Sequence, residues 1–463
     1  MKLNLIVVAV WLVLCHPLAA RADDSPSNTA REAASPVDAT AGLQQKLSFL
    51  IDAVAAQGRR IQELEERLAT RVASAAPSPA PAPVAASLTP ETQSLPPVEA
   101  ASALAPAIEK AEPADMSGHD HMIRLPGGGP VLSIRGFMDF NADIGQAGNH
   151  LIFPIGAVGH TSFQVGEFDL FLSSKLSKHI SFVAEVVIGA GRDNYWGLDI
   201  ERLQLTYRHN RYFEISGGRY HTAIGYYNTT FHHGTWFQTA TGRPFMYYFE
   251  DSGGILPVHN VGITTTGLVP HTGPFNLHWI AEIGNGRSSA NDGQPVQNFL
   301  SDRTHKSANF AAYIKPEGFT GLQIGGSYYR DRLFPAAFPD AKVSQNIESA
   351  YVVYTNAGME SLNECVLLNN RLESTGKIYR TPMCYAQISQ RLHNNYRPYF
   401  RYQYLTSPTD DPLNSFTGRY QGPSVGIRFD FTEFVALKLQ YNHFGQRDAK
   451  ALNGLQAQAA FAF

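Results

Sequence analysis

A period-two alternation recurs from Val131 to the final Phe463 and limits what this chain can fold into. In 133–144 one face carries Ile134, Gly136, Met138, Phe140, Ala142 and Ile144, and the other Ser133, Arg135, Phe137, Asp139, Asn141 and Asp143. Successive side chains on a strand point to opposite faces, so one side suits lipid and the other water. The pattern returns with Ile180, Phe182, Ala184, Val186 and Ile188, with Val425, Ile427, Phe429 and Phe431, and with Val435, Leu437, Leu439 and Tyr441. After the first twenty or so residues no stretch is long and apolar enough to span a bilayer as a helix. Membrane residence therefore has to come from strands, which survive in lipid only as a closed barrel.

Segmentation gives about sixteen strands, an even number as a single-chain bacterial barrel requires. They fall near 131–145, 162–176, 179–191, 198–209, 211–223, 257–267, 273–284, 305–316, 319–330, 344–357, 358–371, 377–391, 394–406, 420–432, 433–445 and 451–463. Tight connections around Ser177, Asn210, Pro270, Pro316, Asn356, His393 and Thr432 alternate with long ones around Asn149, Tyr195, Trp236, Asn291, Pro339, Ser374, Asp410 and Ala449. Short turns at one end and long loops at the other are the asymmetry of a membrane barrel. The expected fold is an all-β, closed antiparallel transmembrane β-barrel over 131–463. Composition agrees: 17% of residues are charged, and 39 Gly, 27 Phe and 21 Tyr supply turn and strand formers. A formal net charge of −3 argues against nucleic acid as a partner.

The first 130 residues divide into four parts. Lys2, the apolar run Leu5 to Leu14 and Ala20-Arg21-Ala22 form an export signal over 1–22. Leu14 before Cys15 is too bulky for a lipoprotein signal. Beyond a polar segment, 23–42, the region 43–72 carries a heptad seam with Leu47, Val54, Ile61 and Leu68 at a and Leu43, Leu50, Gln57 and Leu64 at d. It reads as a short coiled-coil helix, with a single amphipathic helix as the alternative. Residues 73–130 form a Pro/Ala-rich spacer closing on Met116-Ser117-Gly118-His119-Asp120-His121-Met122. That cluster reads as a flexible polar hinge or as ligands for a soft metal.

Inward parity places Arg135, Asp139, Asp143, Glu167, Asp169, Glu185, Arg202, Arg208, Glu282, Arg401, Arg428 and Lys438 in the lumen. Acids and bases on different arcs would set a transverse field across a pore, or would pair within the wall. The connection from about Tyr226 to Leu256 is long enough to be functional. It holds His232 and His233, which diverge on an extended backbone and make a poor metal pair. No Gly-x-Ser-x-Gly or His-Glu-x-x-His motif occurs, so no enzyme is expected, and no cofactor.

Two cysteines outlast the signal, Cys365 and Cys384. Reflection through the centre of the outer loop, between Ser374 and Thr375, maps one onto the other. Directly opposite residues share a face with Cβ atoms about 4.5–5.5 Å apart, so a disulfide needs only a modest approach. Two unpaired thiols facing one another is the alternative.

The alternating C-terminal strand ending on Phe463 resembles the signal by which bacterial outer-membrane barrels are recognised for assembly. The region from about Ser133 onward resembles a porin, in style the phosphate-selective porin O and P family. Gly218-Arg219-Tyr220-His221-Thr222-Ala223-Ile224-Gly225-Tyr226 is similar to that family's strand rising into its long third loop. No Lys-rich run matches the family's phosphate-selecting cluster. The resemblance implies an outer-membrane protein passing small hydrophilic solutes or ions. It implies a third loop folded inward with Arg243, Glu250 and Asp251 at the constriction, a homotrimer, insertion by the barrel assembly machinery, and the helix and spacer in the periplasm. A plugged barrel tethered to the cell wall by its coiled coil is the competing expectation.

Overall fold

The structure is a computed structural model that describes residues 121–124, 130–145, 162–190, 196–231, 234–250, 254–287, 299–301, 304–334, 342–393, 395–415, 417–447 and 449–463. The export signal, the heptad helix, most of the spacer, His119, His232, His233 and Asp251 lie outside the described residues.

Seventeen strands occur among them: β1 (His121–Arg124), β2 (Val131–Gly145), β3 (Ser162–Lys175), β4 (Ile180–Ala190), β5 (Trp196–Asn210), β6 (Phe213–His221), β7 (His259–Leu268), β8 (Leu277–Gly284), β9 (Ser307–Ile314), β10 (Leu322–Leu333), β11 (Val343–Thr355), β12 (Met359–Leu372), β13 (Ile378–Gln390), β14 (Tyr396–Thr406), β15 (Arg419–Asp430), β16 (Val435–Gln446) and β17 (Ala449–Ala462). From β2 to β17 each pairs antiparallel with the next, and β17 returns to β2 with Leu455 opposite Ile144 and Phe461 opposite Met138. The result is a closed sixteen-stranded barrel, and closure leaves no long unpaired edge.

Side chains on the tight turns explain where strands stop. Oγ of Ser177 accepts from the amides of His179 and Ile180, Oδ1 of Asn210 from Tyr212 and Phe213, Oδ1 of Asn356 from Gly358 and Met359, and Oγ1 of Thr432 from Phe434 and Val435. Each side chain mimics a backbone turn and ends the ladder locally. The same end carries exposed Phe213, Phe275, Phe319, Tyr396 and Phe431, the aromatic girdle that suits a membrane–water interface. Outward positions along the strands are large and apolar, with Phe163, Leu198, Leu205, Phe310 and Val425 each more than half exposed.

Three features differ from expectation. The connection expected to be long around Ser374 is a tight turn over 373–377, where the Leu372 amide donates to the Lys377 carbonyl at 2.9 Å and the Gly376 amide to the Leu372 carbonyl at 2.8 Å. The long loop placed around Ala449 is a short link, because Gln446 and Ala449 already pair across it. The spacer, expected to run to residue 130, ends earlier in strand β1, with His121 opposite Ile134 and Arg124 opposite Val131. The reason is geometric. Phe463 exchanges backbone hydrogen bonds with Gly136 at 2.8 and 2.9 Å, so β17 ends there and the first residues of β2 need another partner. β1 occupies that edge as a continuation of β17. Gly136 also makes room for the terminal ring, since a Cβ built there falls inside the Phe463 ring.

Candidate functional site: the lumen and its third loop

Residues 222–258 leave β6, turn into the barrel and return to β7. The entry is a fixed bend. Gly225 has φ +74°, a left-handed conformation that favours glycine, and a Cβ there would strike the Tyr247 hydroxyl and the Glu364 carboxylate. Just before it, the amide of Ala223 donates to both Glu282 oxygens at 3.1 Å. Just after it, the amides of Tyr226 and Tyr227 donate to Glu364 at 2.6 and 2.9 Å. Glu364 also accepts from the hydroxyls of Tyr247 at 2.7 Å and Tyr385 at 2.6 Å. One buried carboxylate on β12 thus ties together both halves of the loop and the wall. Four donors converge on this one side chain, which makes Glu364 the central anchor.

Mid-loop, the polarity of the anchorage reverses. Arg428 donates to the carbonyls of Trp236 at 2.5 Å and Gln238 at 3.0 Å. Lys438 donates to Thr235 at 2.5 Å and Ala240 at 3.2 Å, and Arg401 to Gly242 at 2.7 Å. Wall cations hold carbonyls and wall acids hold amides, so an irregular segment lies inside the barrel with its backbone satisfied. Around these bonds Tyr227, Phe231, Phe245, Met246 and Tyr247 pack on Ile347, Tyr351, Leu362, Val366 and Met383 of β11–β13.

The return end is held by a charged cluster. The His259 amide donates to Glu250 at 2.9 Å, and its ring lies between Glu250, 3.2 Å away, and Glu201. Arg219 meets Glu201 at 3.3 Å, and Arg202 meets Glu185 at 2.6 Å. A register shift at Glu185/Val186 sets Glu185 opposite Arg202 but Val186 opposite Ile200. This bulge lets Glu201 and Arg202, neighbours in sequence, both reach buried partners.

Of the residues singled out from sequence, Asp139, Asp143, Asp169, Glu185, Glu250, Glu282, Arg401, Arg428 and Lys438 are buried inside the barrel. Asp139 accepts from Asn141 at 2.5 Å and from the Glu167 amide at 3.2 Å. Arg135, Glu167 and Arg202 are half-buried. Arg208 is exposed at the short-turn end, 2.5 Å from Glu214, away from the loop. The bases facing the loop grip its backbone carbonyls. Arg243 lies within the loop, with Phe249 stacked 3.7 Å from its guanidinium carbon. Burial lowers its pKa from the ordinary value, opposed by Tyr227 and by Glu167, Glu201 and Glu250, and burial lifts the Tyr226 and Tyr227 hydroxyls to about 12. Sequence reading missed Glu364, Glu201, His259 and Arg219. Only its place among Leu362, Val366 and Leu368 on one face, shared with Glu360, hinted at Glu364. Cys365 is opposite Cys384 on β12 and β13, with a Cα separation of 4.1 Å and the sulfurs bonded. Glu364 points inward, so this bridge lies on the outer face.

No family model and no curated protein matches the sequence. Among solved structures, an anion-selective porin from Comamonas acidovorans aligns with a TM-score of 0.51 and 10% identity, over 72% of this chain and 100% of that one. The outer-membrane channel DcaP of Acinetobacter baumannii aligns with a TM-score of 0.50 and 11% identity, over 73% and 98%. The structural neighbours are thus outer-membrane porins and channels, and what this chain shares with them is the fold, a closed sixteen-stranded antiparallel barrel.

Proposed function

We propose that this protein is an outer-membrane porin through which small hydrophilic solutes or ions diffuse passively, along a barrel narrowed by its third loop. The observation that carries the reading is the loop itself, bonded at both ends and in its middle to the inner wall. A segment held this way restricts the lumen without relying on a moving part. The half-buried inward residues Gln164, Glu167, Arg202, Gln204 and Thr206 lie on β3 and β5, whereas those facing the loop on β11–β17 are buried. The passage accordingly runs along the β2–β5 wall, with Arg243 and Glu250 on the loop side. The assembly proposed is a homotrimer inserted by the barrel assembly machinery, with the N-terminal helix and spacer in the periplasm. A plugged barrel that anchors the outer membrane to the cell wall is favoured by one observation, the apolar cluster that fills the β10–β17 half of the lumen.

Planar-bilayer recording of the purified protein separates the two readings. Discrete conductance steps are expected for the porin. Insertion without steps sinks it in favour of the anchor.

A further inference from the structure

The outward face of β10–β13 turns polar and basic near the long-loop end. Arg330, Asn346, Asn369 and Arg380 are paired in turn across these four strands and form one lateral row. The row next to it, Tyr329, Ile347, Leu368 and Thr381, is fully buried inside the barrel, so the Arg330 row faces out. Arg330 and Arg380 are exposed, and so is Arg371 on the row above. None of these three has a hydrogen-bond or ion-pair partner among the described residues. Tyr328 donates to Asn346 Oδ1 at 3.0 Å, which leaves the nitrogen of that amide as a donor on the same face. The neighbouring Arg332 is engaged by Glu373, 2.8 Å from its Nε, and the exposed Glu348 lies one row below. On β3, β5, β8 and β9 the outward face at this end carries instead Phe163, Leu198, Ile283 and Phe310, all exposed.

The height of the row says what it meets. Tyr354 faces outward near the short-turn end of β11, eight residues below Asn346. That stretch covers about 26 Å along the strand, or about 20 Å along the membrane normal at a tilt of roughly 35–45°. The apolar band of such a barrel is about 25 Å tall, so the row lies close to its upper edge, where lipid headgroups begin. Basic clusters at that level recognise anionic lipid, and a guanidinium grips phosphate through two parallel N–H bonds. Arg330 and Arg380 are three strands apart, a Cα span of about 14 Å at the usual strand spacing. A ligand that engages both is broad and carries negative charge at more than one point.

We infer that the row from Arg330 to Arg380, with Arg371 above it, binds the phosphates of a glycolipid headgroup in the outer leaflet. The inference rests on the outer-membrane placement of the barrel and is independent of whether the lumen conducts. The arginines take the phosphates, and the Asn346 amide adds a donor between them.

Native mass spectrometry of the full-length protein in dodecyl maltoside, titrated with diphosphoryl lipid A, reads the site. A retained lipid adduct is expected, with affinity lower by about tenfold or more in Arg330→Gln/Arg380→Gln and for the same lipid stripped of its phosphates. Lys178→Gln/Arg211→Gln, which removes equal charge from exposed positions at the short-turn end, should bind like the wild type. Equal binding of phosphorylated and stripped lipid to the wild-type protein overturns the inference without calling on any variant to fold. An equal loss in both double variants also overturns it, as unspecific charge attraction. Displacement of the lipid by millimolar inorganic phosphate would assign the row to a free ion, and dissociation of oligomers in Arg330→Gln/Arg380→Gln with lipid binding intact would assign it to a neighbouring copy. An adduct on a barrel that never conducts leaves this inference standing while the porin reading fails. Conductance without the adduct does the reverse.

Discussion

Glu364 shows how much of the site depends on one side chain. It accepts four hydrogen bonds, two from loop amides and two from tyrosine hydroxyls, and all four donors are otherwise buried or half-buried. Truncation leaves those donors without an acceptor, at about 1–3 kcal/mol for each one that stays buried. Glu364→Ala should therefore loosen the loop while the barrel, held by its own ladders, stays closed. The expected result is noisier single-channel current and faster proteolysis within 222–258, with unchanged heat-modifiable migration on gels. A quiet channel resembling the wild type would show that the loop does not depend on this carboxylate. Arg428, Lys438 and Arg401 act in the opposite sense, as donors to loop carbonyls, so these bases have a holding role that a charge reading of the lumen alone does not reveal.

Among the elements, the β12–β13 hairpin is the best determined from sequence. Its turn, its reflection centre and its two cysteines are local features, and the pairing of Cys365 with Cys384 follows once the turn is placed. A bridge closing a loop of this length, with a sequence separation of 19, stabilises by about 2–4 kcal/mol, chiefly by restricting the unfolded chain. Alkylation of the denatured, unreduced protein followed by mass spectrometry should find both cysteines unlabelled. Labelling of both would refute the bridge. The third loop stands at the other extreme. Its length and aromatic content are plain in the sequence, yet its course depends on acids and bases contributed by β7, β8, β12 and β14–β16, far away along the chain. No spacing rule connects Tyr226 to Glu364 or Trp236 to Arg428.

At the scale of the whole molecule, sixteen strands close because β17 meets β2, and β1 extends that seam beyond the terminal Phe463. β1 itself lies at the short-turn end, the periplasmic side in the proposed orientation. If the heptad segment joins subunits there, deleting residues 43–68 should lower the temperature at which oligomers dissociate on semi-native gels and leave each barrel folded. An unchanged oligomer would assign the helix another task, cell-wall attachment being the first to test. Fractionation offers a broader check. Recovery with the outer membrane and slower migration after boiling are expected, and recovery in the soluble periplasm would remove the membrane reading altogether.

The sequence by itself determined the sixteen strands of the barrel wall, the tight turns at Ser177, Asn210, Asn356 and Thr432, the closed-barrel class and the register of the cysteine hairpin, because period-two alternation and turn chemistry act over a few residues. It did not determine which polarity marks the inside on every strand. On β11 and β12 the inward face carries Ile347, Tyr351, Val353, Leu362, Val366 and Leu368 among the polar Gln345, Glu360, Glu364 and Asn370, and the outward face carries Asn346, Glu348, Asn363 and Asn369 among Val352 and Leu367, so polarity does not mark the inside there as it does on β2. Only the tertiary structure decided this, because the inner wall there faces the packed aromatic side of the third loop instead of water. The same holds for Glu201, turned inward by a bulge that shifts register by one residue.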